Sequence, residues 1–266
     1  KDNKQAKALF SFYSCGVKTN RDSWVYNFSS EKLKSNMASM IQRYNENVQE
    51  HQAAKSKDKQ ANPNDIIRLD PTKISWTRGL RNDFDRLKYH KYDASLIRCA
   101  VYRPFMKSWY YFDRNFNDMI YQIPKLFPTP KSQNLVICVS GIGGTKQQST
   151  IIVDCIPDVQ LQFNGQCFPL YYYERNADEQ PDLFKPQATG EYTRHDAITD
   201  FIFNLCREKY GHKITREDIF YYVYGLLHSP RYKERFAADL KKNLPHIPLV
   251  DSVADFQSFS QAGRQL

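Results

Sequence analysis

The residue types that could do chemistry in this 266-residue chain are cations interleaved with rings. Residues 101–116 (VYRPFMKSWYYFDRNF) set Arg103, Lys107 and Arg114 among seven aromatic side chains. Phosphates take such charge, while Arg and Tyr also reach sugars and base edges. Residues 109–112 fit a buried strand equally well, with their rings in a core. A second group, Arg78, Arg81 and Asn82, opens a short helical pattern in which Leu80, Phe84 and Leu87 turn inward. There they stand where phosphate or base-edge contacts would, although a solvated helix face has the same composition. Lys125 and Lys131 fall in residues 113–132, a segment of Asn and Pro that reads as a long loop facing DNA. Lys146, Gln147 and Gln148 follow a glycine-rich stretch, where a hairpin tip would present amides suited to adenine edges, or simply a solvent-exposed turn.

Catalytic chemistry finds no comparable pattern. Ser140-Gly141-Ile142-Gly143-Gly144-Thr145-Lys146 lacks the Gly-Lys-Ser/Thr order by which a phosphate loop brings backbone, amine and hydroxyl together. The six histidines are scattered, with no HExxH, and no Gly-x-Ser-x-Gly elbow occurs. Asp154 and Asp158 lack the lysine that a nuclease core sets beside its second acid. The six cysteines form no CxxC pair, so neither zinc nor a disulfide framework is expected. Reduced thiols point to a cytoplasmic protein. No apolar run is long enough to span a membrane, and the polar, Met-less opening reads as an internal piece of a longer protein.

The elements that must position these groups follow from periodicity. A helix is predicted from Ser30, with Leu33, Met37, Met40, Ile41, Tyr44 and Val48 on one stripe, followed by a mobile, partly helical linker over 49–65. A short strand is expected at 66–69 and a Thr77-capped helix after it. Residues 96–103 and 109–112 read as a hairpin or as consecutive edge strands around Pro104. Strands are expected at 135–139, 150–153 and 166–173. An acidic linker follows, then three helices: one from Asp196 to Gly211, one capped by Thr215, and one starting at Ser229-Pro230. Charge is uneven along this order. Residues 71–150 carry thirteen Lys and Arg against five Asp and Glu, whereas 151–200 carry three against nine. The positive field that attracts a duplex therefore sits in residues 71–150.

Four motifs then identify a resemblance. Thr19-Asn20-Arg21-Asp22 before Trp24-Val25-Tyr26, Tyr102-Arg103-Pro104-Phe105 before Trp109 and Tyr111, Phe168-Pro169-Leu170-Tyr171, and residues 219–224 with 227–232 together resemble the C-terminal specificity region of Type ISP restriction-modification enzymes. Such enzymes join nuclease, helicase-like ATPase, adenine methyltransferase and target recognition in one polypeptide. The resemblance implies an α+β fold in which a mixed β-sheet target recognition domain (66–190) lies between an N-terminal connector to an upstream methyltransferase domain (1–65) and a C-terminal helical unit (191–266). It also implies a non-catalytic region that reads an asymmetric site in double-stranded DNA. S-adenosylmethionine, ATP and magnesium would serve the parent enzyme, with no cofactor here. The alternative is a protein-interaction module whose rings and helices dock a partner domain or subunit.

Overall fold

A computed structural model describes residues 7–143, 148–176 and 191–266. It has the α+β character expected, and it falls into two compact units: Lys1–Gly16 with Tyr121–Leu266, and Val17–Ile120. Packing thus divides the chain at residues 16 and 120 rather than at 65 and 190. Two interactions cause this. The first long helix lies on its own hairpin instead of standing apart as a connector, and the C-terminal helices share one core with strands from 136–170.

The chain enters on β1 (Ser14–Cys15), part of the larger unit, and then builds the smaller one. There, β2 (Tyr26–Asn27) leads into α1 (Ser30–Lys57), whose cap Ser29 accepts the Lys32 N–H at 3.2 Å. The predicted stripe is buried from Leu33 to Val48. The helix also runs through much of the expected linker. Residues 49–57 contain no Gly or Pro, and Ala53 and Ala54 favour helix. Buried His51 anchors this extension, stacked on Phe84 at 4.7 Å. Residues 66–69 form no strand; a helical turn, Pro63–Ile66, capped by Asn62, occupies their start.

After α2 (Arg78–Asp85), strands β3 (Ile97–Arg103) and β4 (Met106–Tyr111) pair as an antiparallel hairpin, with β2 on the other edge of β4. Pro104 lies in the connection, where its missing N–H costs no ladder bond. The rings of this stretch divide. Tyr110, Tyr111 and Phe116 are fully buried, whereas Phe105 and Trp109 are exposed. Nor is 113–132 one long loop: it contains the turns Arg114–Phe116 and Ile123–Leu126.

In the larger unit, β5 (Val136–Val139), β6 (Thr150–Val153) and β7 (Gln166–Pro169) form an antiparallel sheet with β1, in the order β1-β7-β5-β6. The strand expected over 166–173 breaks at Leu170, which buries its side chain and donates its N–H to Leu135 at 2.8 Å. The chain resumes as β8 (Tyr171–Arg175), paired with β9 (Tyr192–Asp196). Most of the predicted acidic linker lies outside the described residues.

Helix α3 (Asp200–Tyr210), capped by Thr199, stops at Gly211, whose φ is +107°. Helix α4 (Arg216–His228) begins with the predicted Thr215–Asp218 capping box, and α5 (Pro230–Arg235) follows with Ser229 as cap. A further helix, α6 (Val253–Gln265), was not expected. It crosses α4 where Gly225 and Gly263 meet: a Cβ on Gly263 would lie 2.1 Å from the Tyr221 carbonyl oxygen. These helices close over Ile137, Val139 and Leu170, joining Phe220, Tyr222, Leu226 and Phe256 in one core. Among the described residues no helix is long and apolar enough to cross a membrane.

Candidate nucleic-acid interface

The Val17–Ile120 unit holds six of the eleven residues singled out from sequence: Arg78, Arg81, Asn82, Arg103, Lys107 and Arg114. It carries nineteen Lys and Arg against twelve Asp and Glu. Helix α2 owes its orientation to Thr77, whose hydroxyl accepts the Leu80 N–H at 3.2 Å, and to buried Leu80 and Phe84. The opposite face exposes Arg78, Arg81 and Asn82. This helix packs against the turn Arg114–Phe116, which Asp113 caps by accepting the Asn115 N–H at 2.7 Å. Exposed Arg114 is thereby placed on an element adjoining α2. Among the described residues, no carboxylate pairs with Arg78, Arg81 or Arg114, whereas Arg43, Arg68, Arg103, Arg216 and Arg264 each have one. Three unneutralised guanidinium groups on a surface are free to meet phosphate or a guanine edge.

Arg103 and Lys107 belong to the other end of the hairpin. Strand β4 separates them from Arg114 by roughly 20 Å at the usual rise per residue. The predicted cations therefore form two groups, one at the hairpin's base and one near its tip. At the tip, Asp22 is the organiser. Its carboxylate accepts from Thr19 Oγ1, from Tyr102 OH at 2.9 Å and from Arg103 Nη2 at 3.3 Å. The Arg103 guanidinium also lies 3.9 Å from the Tyr102 ring centroid and donates to the Tyr102 carbonyl at 2.6 Å. Arg103 is accordingly held and partly neutralised. Lys107 is exposed on β4.

Arg21 makes no ion pair with its neighbour Asp22, which pairs with Arg103 instead. Arg21 is 4% exposed, its guanidinium lies 5.8 Å from the Phe116 ring centroid, and Nε, Nη1 and Nη2 have no hydrogen-bond partner among the described residues. Burial pulls its pKa down to about 10, against the opposing field of Asp118, so it stays charged at neutral pH. Nothing in its polar sequence neighbourhood signals this burial.

The remaining candidates lie in the larger unit. Lys125 is exposed, with its ammonium 5.7 Å from the Phe12 ring centroid, and Lys131 is exposed in a turn tied by Thr129 and Ser132. Lys146 and Gln147 lie outside the described residues. Gln148, expected on an exposed tip, is instead 8% exposed and donates its amide to Thr150 Oγ1 at 3.0 Å. The Ser140–Ser149 hydrogen bonds close the hairpin and draw this position back to the body. Among the described residues, no three His, Cys, Asp or Glu side chains are grouped to hold a metal ion.

The chain as a whole is similar to known proteins. The family model described as the Type ISP C-terminal specificity domain matches residues 8–266. A DrdV–DNA complex is similar over 100% of this chain and 24% of its own, at 32% identity and a TM-score of 0.80. A nuclease-deletion mutant of the Type ISP restriction-modification enzyme LlaGI, in complex with a DNA substrate mimic, is similar over 97% of this chain and 18% of its own (31% identity, TM-score 0.79). The ATP-dependent Type ISP restriction-modification enzyme LlaBIII, bound to DNA, is similar over 99% of this chain and 16% of its own (32% identity, TM-score 0.81). The chain thus spans a quarter or less of the solved chains it matches. A search of curated proteins gave no match.

Proposed function

This chain belongs to the Type ISP C-terminal specificity domain family, and on that premise we propose that it recognises a short asymmetric sequence in double-stranded DNA and directs the methylation and cleavage performed by other domains of its protein. The observation that carries this reading is the set of exposed, unpaired guanidiniums of Arg78, Arg81 and Arg114 on adjoining elements of a basic unit. Phosphate neutralisation supplies affinity that falls steeply with salt, and base-edge contacts supply discrimination. Arg103, Lys107, Lys125, Lys131, Lys146 and Gln147 extend the same proposal along the chain. Buried Gln148 takes part by fixing the end of the hairpin.

Catalysis in this reading belongs elsewhere in the protein, and so do S-adenosylmethionine, ATP and magnesium. The chain's residues do not fit them: it has no Asn-Pro-Pro-Tyr or Walker motif, and the described residues group no metal ligands. The upstream partner is a methyltransferase domain.

The test is fluorescence anisotropy with randomised duplexes at low and moderate salt, followed by sequencing of the retained DNA. An enriched asymmetric motif is the expected result. Arg81→Ala is expected to weaken binding by about 1–3 kcal/mol if it reads a base, or to lower the salt slope by about one if it holds a phosphate. Its circular dichroism should be unchanged. Absence of binding at low salt would favour a protein-docking role instead.

A further inference from the structure

At the tip of the β3–β4 hairpin, Arg103 pairs with Met106 across a two-residue connection, Pro104-Phe105. Pro followed by a residue of positive φ is the pattern of a type II turn, whose second central position is normally Gly. Here that position is Phe105, at φ +62°. A bulky side chain in the left-handed region is a conformational outlier, because its Cβ crowds the backbone. The ring gains nothing in return within the protein. Phe105 is 94% exposed, and no contact of its ring with another aromatic or cation occurs among the described residues. A lone exposed ring is ordinary on a protein surface, but one held there against its backbone preference is not. Both costs vanish with Gly, so the ring itself is what the position presents.

The surroundings point to its target. Cations flank it two residues away on either side, Arg103 and Lys107, and the unit as a whole is basic. The hairpin behind it is braced: Asp22 ties Tyr102 and Arg103, and Tyr110 and Tyr111 are buried below. An aromatic side chain projecting from a rigid, positively flanked tip has the form of a wedge that enters a base stack. Resting on the reading of this chain as a DNA-recognition domain, we propose that Phe105 inserts at one base step of the recognised site. It would unstack that step and contribute to recognition through the ease with which the step opens.

The test uses the full-length protein and a duplex enriched in the selection described above, with 2-aminopurine placed at successive positions. The unaltered protein should raise the fluorescence at one step. Phe105→Gly and Phe105→Ala should abolish that rise and weaken binding by about tenfold to a hundredfold, the range of a lost base–aromatic stack. Phe105→Trp should retain both. Phe105→Gly should melt no lower than the unaltered protein, which separates loss of the wedge from loss of the fold. Specific binding with an unchanged fluorescence pattern in the Gly and Ala variants overturns the wedge alone. Failure of the unaltered protein to select any sequence overturns the recognition reading, and this inference with it.

Discussion

Single side chains in the smaller unit show how far composition can be trusted. The motif residues 19–22 are polar in type, yet Arg21 is buried against Phe116 and Asp22 faces Tyr102 and Arg103, some eighty residues on in sequence. The hairpin supplies the donors that Asp22 accepts from. Asp22→Asn removes the charge that three donors share, and because the carboxylate is partly exposed the expected loss is only about 1 kcal/mol, measured by urea denaturation. Unchanged stability would mean that solvent satisfies Tyr102 and Arg103 equally well. Arg78, Arg81 and Arg114 were legible as candidates because exposure follows from the inward phase of Leu80 and Phe84. Gln148 was not. Its burial depends on where the hairpin closes, which local composition does not encode.

Among the elements, capping was the most readable signal. Thr77, Thr215 and Ser229 all cap as expected, because a cap is a local hydrogen bond between neighbours in sequence. Helix α6 escaped notice because its buried face is made of Phe256, Ser260 and Gly263, which gives little apolar periodicity. What holds it is close approach rather than bulk. Gly263→Ala drives a Cβ into the Tyr221 carbonyl and should destabilise the larger unit by about 1–3 kcal/mol. Gly79→Ala is the opposite case. Its nearest neighbour would be Thr77 Oγ1 at 3.9 Å, so the added methyl should stabilise α2 by about 0.5–1 kcal/mol. Thermal melts of the two variants should therefore shift in opposite directions, and a like shift would contradict the packing described.

Over the whole molecule, acid sensitivity should begin well above the carboxylate range. His51, His90 and His228 all have pKa values lowered from 6.5, in each case chiefly by burial. Lys55, Lys88 and Lys233 add to the three shifts respectively; Asp85 opposes the first, and Asp83, with Asp113, the second. Protons therefore bind the unfolded chain more readily than the folded one. The contribution of these three histidines is constant above about pH 7 and is lost as the pH drops below 6.5, until the lowered folded-state values are passed. His51→Phe keeps the stack on Phe84 and removes two ring nitrogens that have no hydrogen-bond partner among the described residues. It should flatten the loss of melting temperature between pH 7 and pH 5, and an undiminished loss would exclude His51 as a contributor. At this scale the sequence was least informative. Fold class followed from periodicity and resemblance, but the two units did not, because one of them is assembled from both ends of the chain.

That arrangement brings the two ends of the smaller unit together. Lys18 and Met119 exchange backbone hydrogen bonds of 2.8 and 2.9 Å, so the segment Val17–Ile120 leaves and returns through a single clasp. A stretch of more than a hundred residues, carrying both the α2 guanidiniums and the Phe105 tip, is thereby bounded by two joints lying side by side. The spacing of these joints is set by the Lys18–Met119 hydrogen bonds and not by the length of chain between them. The segment's interior can lengthen, shorten or drift without stretching the frame that receives it.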